Sequence, residues 1–110
     1  MVYEITGPMF FGAADKIPHM DRDTDKNVLI LRMRAVPALD ITALNGLKRL
    51  YEECQNKNIH VVFSHVNEQP MSVFRKSGLW DEVGEDNFQP NIDAALERAV
   101  FIWNETQAKV

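Results

Sequence analysis

Cysteine is nearly missing from this chain. Its single Cys54 cannot form an internal disulfide, and 110 residues are enough to bury a core without one. Long apolar runs are missing as well. None approaches the ~20 residues needed to span a bilayer, and the N-terminus lacks the basic, then apolar, then small-residue order of a secretion signal. The 5 glycines never fall into G-x-x-x-x-G-K-S/T or G-x-G-x-x-G, so the common phosphate-gripping loops of nucleotide enzymes are not written here. Basic residues do not dominate. With 12 Lys and Arg against 16 Asp and Glu the net charge is −4, and Arg32 with Arg34, or Lys48 with Arg49, form no stripe, which argues against a nucleic-acid surface.

Catalytic and metal patterns are equally scarce. No serine or cysteine stands in a nucleophile motif, and the adjacent Glu52 and Glu53 diverge on a helix. His19, His60 and His65 show no ligand spacing with a carboxylate. Asp21, Asp23 and Asp25 imitate the start of a calcium loop. The imitation fails at Lys26, where glycine is needed, and at Arg32, where a bidentate glutamate belongs. The chain therefore reads as a non-enzyme with no cofactor and no metal.

What is present is a patterned alternation of strands and helices. Val2–Thr6 and Met9–Phe11 read as a hairpin around Gly7-Pro8. Residues 12–20 suit a short helix limited by Pro18, and residues 21–27 a charged loop. Val28 to Met33 opens with four apolar residues in a row, so this strand should be buried on both faces. Pro37 ends the strand region. A helix over 42–57 follows, with Ala43, Leu47, Leu50 and Cys54 on one face and Leu44 and Tyr51 widening it. Asn58 closes the helix and 59–64 is a second buried strand. Pro70 suits the first turn of a helix ending at Lys76-Ser77, with Gly78 as left-handed cap and Leu79 beyond it. A short strand is expected around Asp81 to Val83. The last helix should run from about Pro90 to Trp103 on a stripe of Ile92, Ala95, Leu96, Ala99, Ile102 and Trp103, with 104–110 as a frayed tail. The expected class is α/β, a mixed sheet with an N-terminal hairpin and parallel strand–helix units, all in one domain over 1–110.

The segments VLILRM, AVPALDITAL, NGLKRLYEECQNKNIHVVFSHV and EQPMSVFRKSGLWDEVGEDN, in this order and spacing, together with the opening YEITGPMFFGAADKI, resemble a STAS domain. More narrowly they are similar to the cytoplasmic C-terminal STAS domain of bacterial SulP-type (sulfate permease) anion transporters. The resemblance implies a regulatory, protein-interaction domain that binds and does not turn over a substrate. Its implied partner is the transmembrane portion of a parent transporter, which this chain lacks. Its implied place is the cytoplasmic face of the bacterial inner membrane. A free-standing anti-sigma factor antagonist working by partner switching is the alternative.

Two groups of residues are candidates for function. In the partner-switching relatives a serine or threonine two residues after the corresponding aspartate is phosphorylated by a partner kinase, and the resemblance maps these onto Thr42 and Asp40. Ile41 and Ala43 stand where those relatives usually carry a small polar residue and glycine. The residues themselves offer a second role, since either Asp40 or Thr42 can cap the helix. Ser64, His65 and Asn67 follow the second buried strand. Ligands of open parallel sheets bind beyond the carboxyl ends of the strands, so this turn and Asp40–Thr42 should lie at one end. There they are candidates to bind a small anion, a nucleotide or a partner protein, or else form a polar turn.

Overall fold

The computed structural model describes residues 2–6 and 28–108, with side chains over 28–105. Strand β1 (Val2–Thr6) is followed by β2 (Val28–Ala35), α1 (Ile41–Asn56), β3 (His60–Ser64), α2 (Glu68–Ser77), α3 (Leu79–Val83), β4 (Phe88–Gln89) and α4 (Ile92–Ala108). The strands form one sheet in the order β1-β2-β3-β4, and every described pairing is parallel. The α/β architecture and the parallel strand–helix units are those the sequence predicts. Met9–Phe11, residues 12–20 and the 21–27 loop lie outside the described residues.

Strand β2 is central and apolar on both faces. Leu29, Leu31 and Met33 enter one core with Val61 and Phe63 of β3, and with Ala43, Leu44, Leu47, Leu50 and Cys54 of α1. Phe74 of α2 and Leu79 and Val83 of α3 close that core. Val28 and Ile30 enter a second core with Val62 of β3 and Ala95 and Ile102 of α4. Side chains alternate along a strand, so α1, α2 and α3 cover one face of the sheet and α4 covers the other.

The helix ends follow their local chemistry. Asn58 takes a left-handed backbone (φ 59°), and the next amide, Ile59 N–H, donates back to the Cys54 carbonyl at 2.7 Å. Gly78 ends α2 in the left-handed region (φ 87°), with Leu79 fully buried just beyond. Two expectations are corrected. Residues 81–83 are helical, because α3 starts directly from the Gly78 turn and buries Leu79 and Val83 one helical turn apart. Helix α4 also continues past Trp103 to Ala108, since no glycine or proline in that stretch stops it. On α4, Ile92, Ala95, Ala99 and Ile102 face the sheet, whereas Leu96 and Trp103 are 44% and 46% exposed.

β4 is only two residues long, and aromatic packing fixes it. Phe88 stacks on Phe63 (5.1 Å between centroids) and on Trp80 (4.7 Å), and meets Phe74 at 6.0 Å. Arg75 sits over the Trp80 ring at 4.8 Å. Such contacts contribute about 0.5–1.5 kcal/mol each beyond area burial. They hold the point from which the chain turns into α4.

Leu47 is 1% exposed in the middle of the α1 face. Leu47→Ala should cost about 2–5 kcal/mol, and the charged neighbour Lys48→Ala no more than about 0.5 kcal/mol, read as denaturant midpoints. Burial pushes the Cys54 thiol from 9.0 up to about 11, with Lys57 opposing the shift and Glu53 adding to it. Below pH 9 the neutral thiol contributes its full share to stability. As pH climbs from 9.0 toward 11 the unfolded chain loses its thiol proton first, and that share disappears. The unfolding midpoint should therefore fall between pH 8 and pH 10.5, and Cys54→Ala should remove part of the fall.

Candidate functional site

Parallel strands place their carboxyl ends, and the helix starts that follow, at one end of the sheet. Ala35, Ser64 and Gln89 end β2, β3 and β4, and α1, α2 and α4 begin a few residues later. Asp40 is the residue that caps α1. Its backbone is extended (φ −92°, ψ 178°), its Oδ1 accepts from Ala43 N–H at 2.8 Å, and its carbonyl accepts from Leu44 N–H at 3.0 Å. Thr42 is not a cap. It lies exposed in the first helical turn, and its hydroxyl makes no hydrogen bond among the described residues. Beside it Ile41 is 68% exposed, so the start of α1 presents an apolar side chain, a hydroxyl and a carboxylate to solvent.

The loop from β2 into α1 is held from below by the turn after β3. Asn67 starts α2 without capping it with its side chain. Its Nδ2 instead donates to the carbonyls of Val36 at 2.9 Å and Arg34 at 3.2 Å. Gln69 pairs with the Leu39 backbone on both sides, accepting from its N–H at 2.7 Å and donating to its carbonyl at 3.2 Å. The two amides replace a missing strand partner and fix the approach to Asp40. Asn67 is thus structurally joined to the Asp40–Thr42 loop, as the sequence predicts for one end of the sheet.

The other two residues of the turn diverge. Ser64 is fully buried, and its hydroxyl has no hydrogen-bond partner among the described residues. His65 is exposed with φ 53°, and its backbone N–H donates to the Gln89 carbonyl at 2.9 Å. That conformation costs a non-glycine residue energy and turns the chain out of the sheet. An open groove of about 480 Å³ lies here, lined by His65, Asn67, Glu68, Met71, Gln89 and Pro90 among others. Gln69 is the residue missed by sequence reasoning. It sits 30 positions from its partner, and no local periodicity signals such a contact.

Removing the Gln69 amide leaves a partly buried N–H and C=O of Leu39 without protein partners. Gln69→Ala should therefore lower stability by about 1–3 kcal/mol. The 36–40 segment should also exchange its amide protons faster than in the parent chain, read by hydrogen exchange.

Residues 1–95 match the model of the STAS domain family. A solved sulfate transporter family protein from Wolinella succinogenes is 31% identical, with TM-score 0.78 over 94% of this chain and 86% of that one. The STAS domain of a SulP transporter from Vibrio cholerae is also 31% identical, with TM-score 0.78 over 97% of this chain and 83% of its own. Among longer relatives, the chloroplastic sulfate transporter 4.1 of Arabidopsis thaliana is 29% identical over 77% of this chain. The putative sulfate transporter YvdB of Bacillus subtilis is 27% identical over 79%. The chain spans only 13% and 17% of those two proteins. Among the described residues no helix is long and apolar enough to cross a membrane. Matched over most of its length by family model and by solved structures, the chain belongs to the STAS domain family, in the branch found in sulfate transporter family proteins.

Proposed function

We propose that this chain is a non-catalytic regulatory domain of a SulP-type anion transporter, held at the cytoplasmic face of the bacterial inner membrane. The observation that supports the reading is its likeness, over nearly all of its length, to STAS domains of sulfate transporter proteins. The domain acts by binding. Its contact with the transmembrane portion, or with a cytoplasmic protein, depends on the state of the Asp40–Thr42 corner.

The geometry of that corner suits a charge switch. Asp40 already caps α1, so Thr42 is free of a capping duty and exposed. A phosphate on its hydroxyl meets the positive end of the α1 dipole and the uncapped first-turn N–H groups, which favour it. It also places charge next to the exposed Ile41, turning an apolar contact surface into an anionic one. The fold tolerates this because Thr42 is exposed and belongs to neither core. A ligand or partner in the groove beyond Ser64, His65 and Asn67 reaches the same corner through Asn67 and the 36–40 loop.

Thr42→Glu should leave the thermal midpoint of the isolated chain unchanged within about 0.5 kcal/mol of stability. In the full-length transporter it should change anion uptake. Thr42→Val removes the hydroxyl at nearly the same volume and should also leave stability unchanged, whereas Asp40→Ala should cost about 1 kcal/mol. If uptake and partner binding are the same in wild type, Thr42→Glu and Thr42→Val, the corner has no regulatory role.

A further inference from the structure

We infer that the groove at the carboxyl ends of β3 and β4 is a docking site for a basic peptide segment, an arginine or lysine with apolar neighbours, of the kind that membrane proteins carry on the cytoplasmic flank of their spans. The groove measures about 480 Å³, within the size range of clefts that hold a ligand. Its lining comes from the turn after β3, the first turn of α2 and the chain from β4 into α4.

The polar groups of this lining offer acceptors. Asn67 spends its Nδ2 on the Val36 and Arg34 carbonyls, and Gln89 ties its Nε2 to the Asp86 carbonyl at 2.6 Å. Each amide keeps its side-chain oxygen unbonded among the described residues. Glu68 adds an exposed carboxylate that makes no hydrogen bond or ion pair among the described residues. No Lys or Arg lines the groove among the described residues. Residues 59–74 and 77–97, which supply that lining, hold seven acids and no Lys or Arg. The positive end of the α2 dipole lies here too. Glu68 already supplies the negative charge it favours, and Pro70 removes one of the first-turn N–H donors. An anion entering the groove meets that carboxylate, whereas a cation is drawn to it.

The rest of the groove is apolar. Val66, Met71, Phe88 and Pro90 offer a surface on which the methylene stem of an arginine or lysine, and an apolar neighbour, can lie. The walls are fixed before anything binds. Phe88 is stacked on Phe63 and Trp80, Asn67 is held by two carbonyls, and the His65 N–H donates to the Gln89 carbonyl at 2.9 Å. A preformed groove loses little conformational freedom on binding.

The inference rests on the reading of this chain as a domain held against a membrane portion, which supplies the basic segment. Its test uses the chain alone and leaves Thr42 untouched, so either reading can fail without the other. The probe is the capped peptide acetyl-Leu-Arg-Leu-Arg-Leu-amide, titrated into isotopically labelled chain at constant ionic strength. Amide resonances of His65, Glu68, Met71 and Gln89 should move and saturate. Glu68→Gln, at an exposed position, should weaken binding at least threefold. Met71→Lys, which sets a cation in the groove, should weaken it at least tenfold. Glu52→Gln, the same charge change on α1, should bind as the parent does. Amide spectra report whether each variant folds. Shifts that never saturate, or equal affinity in Glu68→Gln and Glu52→Gln, overturn the site. Free arginine binding as tightly as the peptide overturns the assignment to a peptide segment. Saturation by inorganic sulfate with no response to the peptide overturns the sign of the occupant and makes the groove an anion site.

Discussion

Parallel strands cannot be joined by a tight turn, and this constraint organises the whole protein. Each strand must be followed by a crossover that returns the chain to the opposite end of the sheet. The helices of those crossovers begin where the strands end, so α1, α2 and α4 all start beside the carboxyl ends of β2, β3 and β4. Their positive dipole ends gather there with no further design. The two-faced burial of β2 makes the arrangement rigid. Leu29, Leu31 and Met33 anchor the α1 layer while Val28 and Ile30 anchor α4. A register slip of one residue would exchange those sets and put Arg32 into the larger core.

Burial then decides which groups are free to act. Asp40 is committed to Ala43 N–H, and Asn67 and Gln69 are committed to the loop carbonyls and the Leu39 backbone. Those three residues are fixed by hydrogen bonds and serve to position the corner. Thr42, Ile41, Ser64 and Arg32 are not satisfied in this way. Among the described residues one is exposed with an unbonded hydroxyl, one is an exposed apolar side chain, one is a buried hydroxyl without a partner and one is a half-buried cation in register beside Glu4. Structural duty and unbonded groups are thus separated residue by residue at the same end of the sheet.

The framework was legible in the sequence where one residue type has one physical use. The apolar run Val28–Leu31 announces a strand buried twice. The 43/47/50/54 spacing announces the α1 face, Gly78 announces a left-handed helix end and Asn58 the close of α1, whose left-handed backbone only the structure shows. Asp40 was named as one of two possible caps, and the choice between it and Thr42 required the backbone angles. The errors have a common cause. Residues 81–83 are too short for a period to be read, and their helical state comes from the Gly78 turn and from Leu79 and Val83 packing under α1. Leu96 and Trp103 fit the helical stripe of α4, yet of that stripe Ile92, Ala95, Ala99 and Ile102 are the residues that pack in the core against the sheet. The Gln69 clasp and the orphaned Ser64 hydroxyl are long-range outcomes of packing, and no local pattern encodes them.

The two faces of the sheet are built on the same backbone. Asn67 joins the loop after β2 to the start of α2, and the carbonyls it holds belong to Arg34 and Val36. Arg34 is two residues from Arg32, which lies in register with Ser64, and Ser64 is three residues from Asn67. Arg32 and Ser64 on the α4 face therefore lie within a few residues of chain of the loop that presents Asp40 and Thr42 on the other. The carboxyl ends of β2 and β3, rather than any single side chain, thus hold both the buried Ser64 and the carbonyls that Asn67 uses to fix the approach to the α1 corner.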